Sequence, residues 1–199
     1  MLKLCAIYVS FIAFSTGLSA APMLQLLPPS GYVSGLPGAT VGWGFTLSNP
    51  DSDFLLVTGS SFDAGCKGCP GPPAAVGSYT DFIGNNFVIA GPSPESQSVS
   101  QPFNASHQTG AGSFTFALSA PRNTSINGFI EVDYSTYSVD PNSPFFDPIL
   151  DLITADAQLY APAVVNVAPE PSAFALTQVA LFLFVGAVAW RRHRKPVAL

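Results

Sequence analysis

Between Pro22 and Ala168 no stretch of the chain keeps a helical period for three turns. Short runs of alternating apolar and polar residues stand there instead, with Gly, Pro, Asn and Ser between them. The clearest is "ATVGWGFTLSN". Successive side chains of a strand point to opposite faces, so Val41, Trp43, Phe45 and Leu47 share one face. Gly42, Gly44, Thr46 and Ser48 take the other. "DFLLVTGSSF", "YTDFIGNNFVIAG" and "SFTFALSAP" read as further strands. In "GFIEVDYSTYSV", Phe129, Glu131, Asp133 and Ser135 alternate with Ile130, Val132, Tyr134 and Thr136. "ITADAQLYAPAVVNV" makes a last strand or pair. About seven strands at this spacing predict an all-β fold, an antiparallel β-sandwich of Ig-like or jelly-roll type. Residues 22–167 are the right length for one such domain.

Charge narrows the partners of this body. Of the chain's 12 acids all but Glu170 fall between Pro22 and Ala168, against two bases, Lys67 and Arg122. Eleven acids and two bases leave a formal charge of −9. A surface of that sign does not attract nucleic acid or anionic lipid.

The two ends differ from the body. From Ala173 to Trp190 run 18 residues without a charge, with Thr177 and Gln178 the polar exceptions. As a helix this run is roughly 27 Å long, enough to cross a hydrocarbon core of about 30 Å. Arg191, Arg192, His193, Arg194 and Lys195 follow directly, and a basic cluster beside a span marks the cytoplasmic side and stops translocation. At the front, Lys3 precedes an apolar core, Leu4–Phe14, and small residues up to Ala21. That layout predicts a signal peptide over residues 1–21, cut near Ala20. An uncleaved N-terminal anchor is the alternative. The body then lies outside the cytoplasm, in the cell envelope or beyond it.

Between body and apolar run stands Pro169-Glu170-Pro171-Ser172. The prolines fix φ and lack an N–H, and each pushes its predecessor toward extended geometry. A stiff, extended stalk is therefore expected, a form that a protease cleft can grip. The triplet, the apolar run and the Arg-rich end, in this order over residues 168–199, resemble the PEP-CTERM sorting signal of bacterial exported proteins. His193 and the tail Pro196–Leu199 are minor departures from that pattern. The resemblance implies recognition of Pro169, Glu170 and Pro171 by exosortase, a membrane-embedded protease-transpeptidase. It also implies export to the envelope or cell surface, alongside exopolysaccharide. "LPGATVGWGFTLSN" is similar to the opening strand of Ig-like domains in bacterial surface proteins. The body resembles other PEP-CTERM ectodomains, notably in "TVGWGFTLSN", "YTDFIG" and "SVDPNSPFFDP". That likeness brings no activity with it.

Candidate chemistry is sparse. Cys66-Lys67-Gly68-Cys69 has the Cys-x-x-Cys spacing of redox centres and half zinc sites. Zinc would need two more ligands, and only His107 and Cys5 offer themselves as soft donors. A thioredoxin-like thiolate needs a helix N-terminus, whereas the flanks "DAG" and "PGPPAA" are loop. In an oxidising compartment Cys66 and Cys69 are expected to pair as a small-ring disulfide. For hydrolysis the body offers one histidine, His107, in the polar "NASHQTG", and no Gly-x-Ser-x-Gly elbow. Its glutamates are Glu95, in a Pro/Ser loop, and Glu131, on a strand, and nothing pairs them for glycosidase chemistry. Asp133, Asp140, Asp147, Asp151 and Asp156 could offer oxygens to calcium, but Asp-Pro pairs are also ordinary Asx turns, which is the reading favoured here.

The expectation is an exported, non-enzymatic envelope or matrix protein without cofactor or metal. Its expected partners are the sorting enzyme, the membrane through the C-terminal helix, and exopolysaccharide. A permanently anchored binding or adhesion module is the first alternative. A secreted redox protein using Cys66 and Cys69 is the second.

Overall fold

The structure is a computed structural model and describes residues 21–84, 88–92 and 98–169, with Leu181 and Leu183 as isolated positions. Residues 1–20 of the expected signal peptide lie outside the described residues, as do Glu95, Glu170, Pro171, the basic cluster Arg191–Lys195 and the apolar run apart from Leu181 and Leu183. Among the described residues no helix is long and apolar enough to cross a membrane.

Among the described residues ten strands form two five-stranded sheets. The first is ordered around β3 (Thr40–Ser48). β1 (Met23–Leu27) runs antiparallel along one edge of β3. β8 (Gly112–Phe116) and β7 (Ser98–Gln101) share its other edge, β8 against Thr40–Trp43 and β7 against Phe45–Ser48. β5 (Gly77–Asp81) closes that side by pairing with β8. The second sheet is ordered β2-β10-β9-β4-β6. Its strands are β2 (Tyr32–Gly35), β4 (Phe54–Ala64), β6 (Val88–Ala90), β9 (Ser125–Tyr137) and β10 (Leu152–Val167).

The alternation read from the sequence sets the core. Trp43, Phe45 and Leu47 of β3 are fully buried between the sheets, and Ile130 and Val132 of β9 meet them from the other side. Trp43 stacks on Phe62 of β4 across the gap, with ring centroids 5.7 Å apart and planes 17° from parallel. Phe114 of β8 meets the edge of Phe62 at 6.1 Å. Each such ring contributes about 1.5–3 kcal/mol by leaving water, and the pairs add up to about 1.5 kcal/mol through geometry. The indole N–H is also used: Trp43 Nε1 donates to the Gly31 carbonyl at 2.7 Å. A buried Trp without that partner would carry the desolvation penalty of an orphan donor.

Two expectations are corrected, and one feature was not anticipated. The sandwich is not wholly antiparallel, because β2 and β10 pair in parallel, Val164 opposite Tyr32 through Val167 opposite Gly35. "YTDFIGNNFVIAG" is not one strand: β5 belongs to the first sheet and β6 to the second. The unanticipated feature is a cover over the other face of β3, where Gly42 and Gly44 are buried. The 101–103 segment covers them, and a Cβ on Gly44 would sit 2.6 Å from the Gln101 carbonyl oxygen and 2.8 Å from the Phe103 nitrogen. The physical reason is common to all three. Alternation reports which face a side chain takes, and says nothing about which strand or loop arrives beside it.

The ends of β10 define two poles. Its 16 residues extend for about 50 Å. At the Val167 end the Ala168 N–H bonds to the Gly35 carbonyl at 2.8 Å. At the Leu152 end the chain turns back to β9 through residues 138–151.

Candidate functional site

The sequence singled out three places: the stalk after Ala168, the Cys66–Cys69 loop and the late aspartates. The structure gives each a distinct setting.

The stalk begins where the ladder stops. Ala168 makes the last backbone bond to β2, and Pro169 is exposed and outside any strand. Proline has no N–H to continue the ladder, so the β10–β2 pairing must end before it. Of the expected sorting residues only Pro169 is among the described residues, and it is exposed.

Cys66 and Cys69 are disulfide-bonded, as expected. The bond closes a turn in which the Cys69 N–H returns to the Cys66 carbonyl at 3.2 Å. No helix begins there, so neither sulfur receives the N-terminal field that activates a thioredoxin-type cysteine. The turn is tied down by Asp63 at the end of β4. Its carboxylate is buried and accepts the Gly68 N–H at 2.6 Å and the Ser61 hydroxyl at 3.0 Å. Lys67 therefore reaches over the outer face of β9 and β10. Its Nζ lies 5.0 Å from the Tyr160 ring centre and 5.7 Å from that of Phe129. Beside the turn a cleft of about 450 Å³ opens, lined by Phe62, Asp63, Cys69, Pro72, Ala74 and Tyr79.

Under Lys67 the outer face carries a connected polar row. Strand register brings Ser61 opposite Glu131 and Glu131 opposite Tyr160, with Asp133 opposite Gln158 one step along. Gln158 Nε2 donates to Glu131 Oε1 at 2.5 Å and to Asp133 Oδ1 at 3.3 Å. The Tyr160 hydroxyl donates to Gln158 Oε1 at 2.7 Å. Burial raises the Glu131 carboxyl above its ordinary value, opposed by the Tyr160 hydroxyl and reinforced by Asp63 and Asp133. The Tyr160 hydroxyl is pushed up to about 12, by partial burial first and then by Glu131, Asp63 and Asp133. This surface combines two rings, one ammonium, an amide and three carboxylates. It can recognise a ligand through hydrogen bonds and ring contact. The sequence placed Glu131 on a strand but missed Lys67, Gln158 and Tyr160 as its companions. The alternation in "ADAQLYAP" was the available signal that Gln158 and Tyr160 share a face.

A second polar knot joins the sheets at their side. Ser60 Oγ of β4 lies 2.6 Å from Asp81 Oδ1 and 2.8 Å from the Tyr79 hydroxyl, both on β5. Asp81 also accepts the N–H groups of Ile83 and Gly84. Burial raises the Tyr79 hydroxyl far above its ordinary value. The carboxylate is thus spent on backbone and hydroxyl donors, and the knot ties β4 to β5. His107 lies elsewhere, in an exposed turn where its N–H bonds to Asn104 Oδ1 at 3.1 Å.

The late aspartates form turns. Asp140 Oδ1 accepts the Asn142 N–H at 2.8 Å. Asp147 Oδ1 accepts those of Ile149 and Leu150 at 2.8 and 3.0 Å. Asp133 and Asp156 lie on strands instead. Among the described residues no group of three or more His, Cys, Asp or Glu is arranged to hold a metal ion.

No protein-family model matches the sequence, and no curated protein matches it. Weak structural similarity is found to several solved structures. One is a structure of the Salmonella enterica SafA pilin in complex with the SafB chaperone, 13% identical, matched over 75% of this chain and 55% of that chain at a TM-score of 0.33. The present chain thus spans about half of that one. The PapD-like domain 7 of human CEP192 is 8% identical over 84% of this chain and 100% of its own, at 0.35. WR4, a C. elegans MSP family member, is 9% identical over 73% and 98%, at 0.31. TM-scores of this size carry no assignment for this chain.

Proposed function

We propose that the chain is an exported, non-enzymatic surface protein of a bacterial envelope or matrix, delivered by its C-terminal PEP-CTERM-like segment. Its β-sandwich then serves as a binding module. The observation that carries the delivery reading is the end of β10 at Val167. Ala168 still bonds to Gly35, while Pro169 is exposed and unpaired. A processing enzyme needs an extended segment free of the sheet, and the Pro-Glu-Pro triplet starts at the residue after Ala168, which makes the last backbone bond of this ladder among the described residues. Exosortase is the partner this reading requires, with exopolysaccharide as the accompanying matrix. The outer face of β9 and β10 favours a binding role, because its polar groups are joined to one another around a ring pair and no nucleophile and base are set together there.

The test is the mature C-terminus. Mass spectrometry of the protein recovered from the producing cell should show an end near Glu170. Replacing Pro169, Glu170 and Pro171 together by alanine should leave residues 173–199 attached. An unchanged, processed product from that variant would defeat the delivery reading. An intact C-terminus in the unmodified protein would favour the permanently anchored module.

A further inference from the structure

The loop between β9 and β10 ends the sandwich at the pole opposite Ala168. Phe145, Ile149 and Leu150 are 88%, 81% and 82% exposed there, and Ile153 just beyond is 51% exposed. A loose loop would explain such exposure, but this one is tied. Phe146 folds back and sets its ring edge against Tyr137 at 4.9 Å. The Ser143 N–H bonds to the Asp140 carbonyl, and the Phe146 N–H to the Ser143 carbonyl. Asp147 holds the N–H groups of Ile149 and Leu150, and Asp151 Oδ2 holds that of Asp147 at 2.8 Å. These bonds fix the backbone of the residues whose apolar side chains face solvent. Rigid, displayed apolar groups lower the entropy cost of docking.

Charge selects the occupant. Asp140, Asp147 and Asp151 alternate with the apolar groups along the loop, and residues 138–156 contain no Lys or Arg. The backbone N–H bonds of Leu150 and Ile149 hold the Asp147 carboxyl below its usual range. An anionic lipid surface is repelled by this tip. A second copy would bring the same carboxylates against it. A protein pocket with a basic rim complements both features. We propose that residues 138–153 form a docking tip for a protein partner that offers an apolar pocket rimmed by Lys or Arg. Phe145, Ile149 and Leu150 enter the pocket, and Asp147 and Asp151 meet the rim. The inference stands on the loop and does not depend on how the chain is tethered.

Site-specific photo-crosslinking in the producing cell tests it, using the full chain. Phe145→p-benzoylphenylalanine should give an adduct with a different protein. Leu118→p-benzoylphenylalanine, also 88% exposed but near the stalk pole, should not. Adduct yield should fall several-fold when Asp147→Asn and Asp151→Asn are combined with the probe. Asparagine keeps the side-chain acceptor and removes the charge, and circular dichroism will show that the variant stays folded. The crosslinked peptide of the partner should carry Lys or Arg beside apolar residues. An adduct with lipid, an adduct with a second copy, no adduct, or a yield indifferent to the asparagines would each overturn the proposal. A parallel sedimentation with phosphatidylcholine and phosphatidylglycerol vesicles should show the protein left in solution, and pelleting dependent on Phe145 would count against a protein partner.

Discussion

The stalk pole and the tip pole of the sandwich are closed by bonds of different range. At the stalk pole the partners are far apart in sequence. Trp43 donates to Gly31, the Val164 N–H also reaches Gly31 at 2.9 Å, Ala168 reaches Gly35, and Gly38 reaches Phe116 at 3.2 Å. At the tip pole Asp140, Asp147 and Asp151 bond backbone groups two to four residues away. A long-range closure fails when any participant is displaced, because several elements lose partners together. A short-range closure can change its outward side chains without touching the core. The first pole is built for cohesion and the second leaves its surface free to vary.

Gly31 is the sharpest place to break this contrast. Its φ is +64°, and a Cβ there would run into the Pro162 carbonyl oxygen. Both the steric clash and the left-handed backbone oppose any side chain. Gly31→Ala should cost about 4 kcal/mol or prevent folding, measured by urea denaturation. A loss below about 1 kcal/mol would mean that the stalk pole yields easily.

Asn49 is a long-range contact near the tip pole, as is the Ser138 N–H on the Asp151 carbonyl at 2.9 Å, and the loss of Asn49 comes next in size. It is fully buried and its Nδ2 lies 2.7, 3.2 and 3.0 Å from the carbonyls of Asp53, Ala90 and Gly91. It holds the crossover from β3 to β4 against β6. Asn49→Ala should cost about 3 kcal/mol, since the carbonyls are left without their donor. A neutral result would show that range of bonding does not decide sensitivity.

Between the poles, Glu131 tests whether charge rather than bond range matters. Its folded-state carboxyl is raised, so the folded protein holds the proton more tightly than the unfolded chain. The stabilisation is complete below the ordinary value of 4.5 and is lost as pH rises through the raised folded value. Glu131→Gln imitates the protonated form and keeps an oxygen for Gln158. Its melting temperature, relative to the unmodified protein, should therefore rise from acidic to neutral pH. Parallel curves for the two would remove the effect of burial on Glu131.

The smallest effect is expected at the tip. Phe145→Ser and Ile149→Ser should each change stability by less than about 0.5 kcal/mol, because neither side chain packs on the core. A large loss from either would erase the contrast between the poles.

Much of this was legible beforehand. The period-two pattern of β3 put Val41, Trp43, Phe45 and Leu47 on one face; the last three are fully buried and Val41 packs half-buried against the core. Cys66 and Cys69, three residues apart in a Pro/Gly loop, pair as expected. Asp140 and Asp147 form the anticipated turns, because an Asp side chain reaches its own backbone two residues on. The parallel neighbour of β10 was not legible, nor was the cover over Gly42 and Gly44. Lys67 over Tyr160 was equally hidden, since 93 residues separate the two and only the fold of Asp63 under the Cys turn brings them together.

By itself the amino-acid order determined the all-β character, the inward face of β3, the local turns and the disulfide, but not β1, β2 and β7 or the break between β5 and β6. Each depends on groups within a few residues, where covalent geometry leaves few options. Tertiary structure alone decided the partners: β2 beside β10, Asn49 against β6, and the polar row beneath Lys67. Those contacts join residues tens of positions apart. They are chosen by how the two sheets exclude water together, a property of the whole chain that no short stretch of it contains.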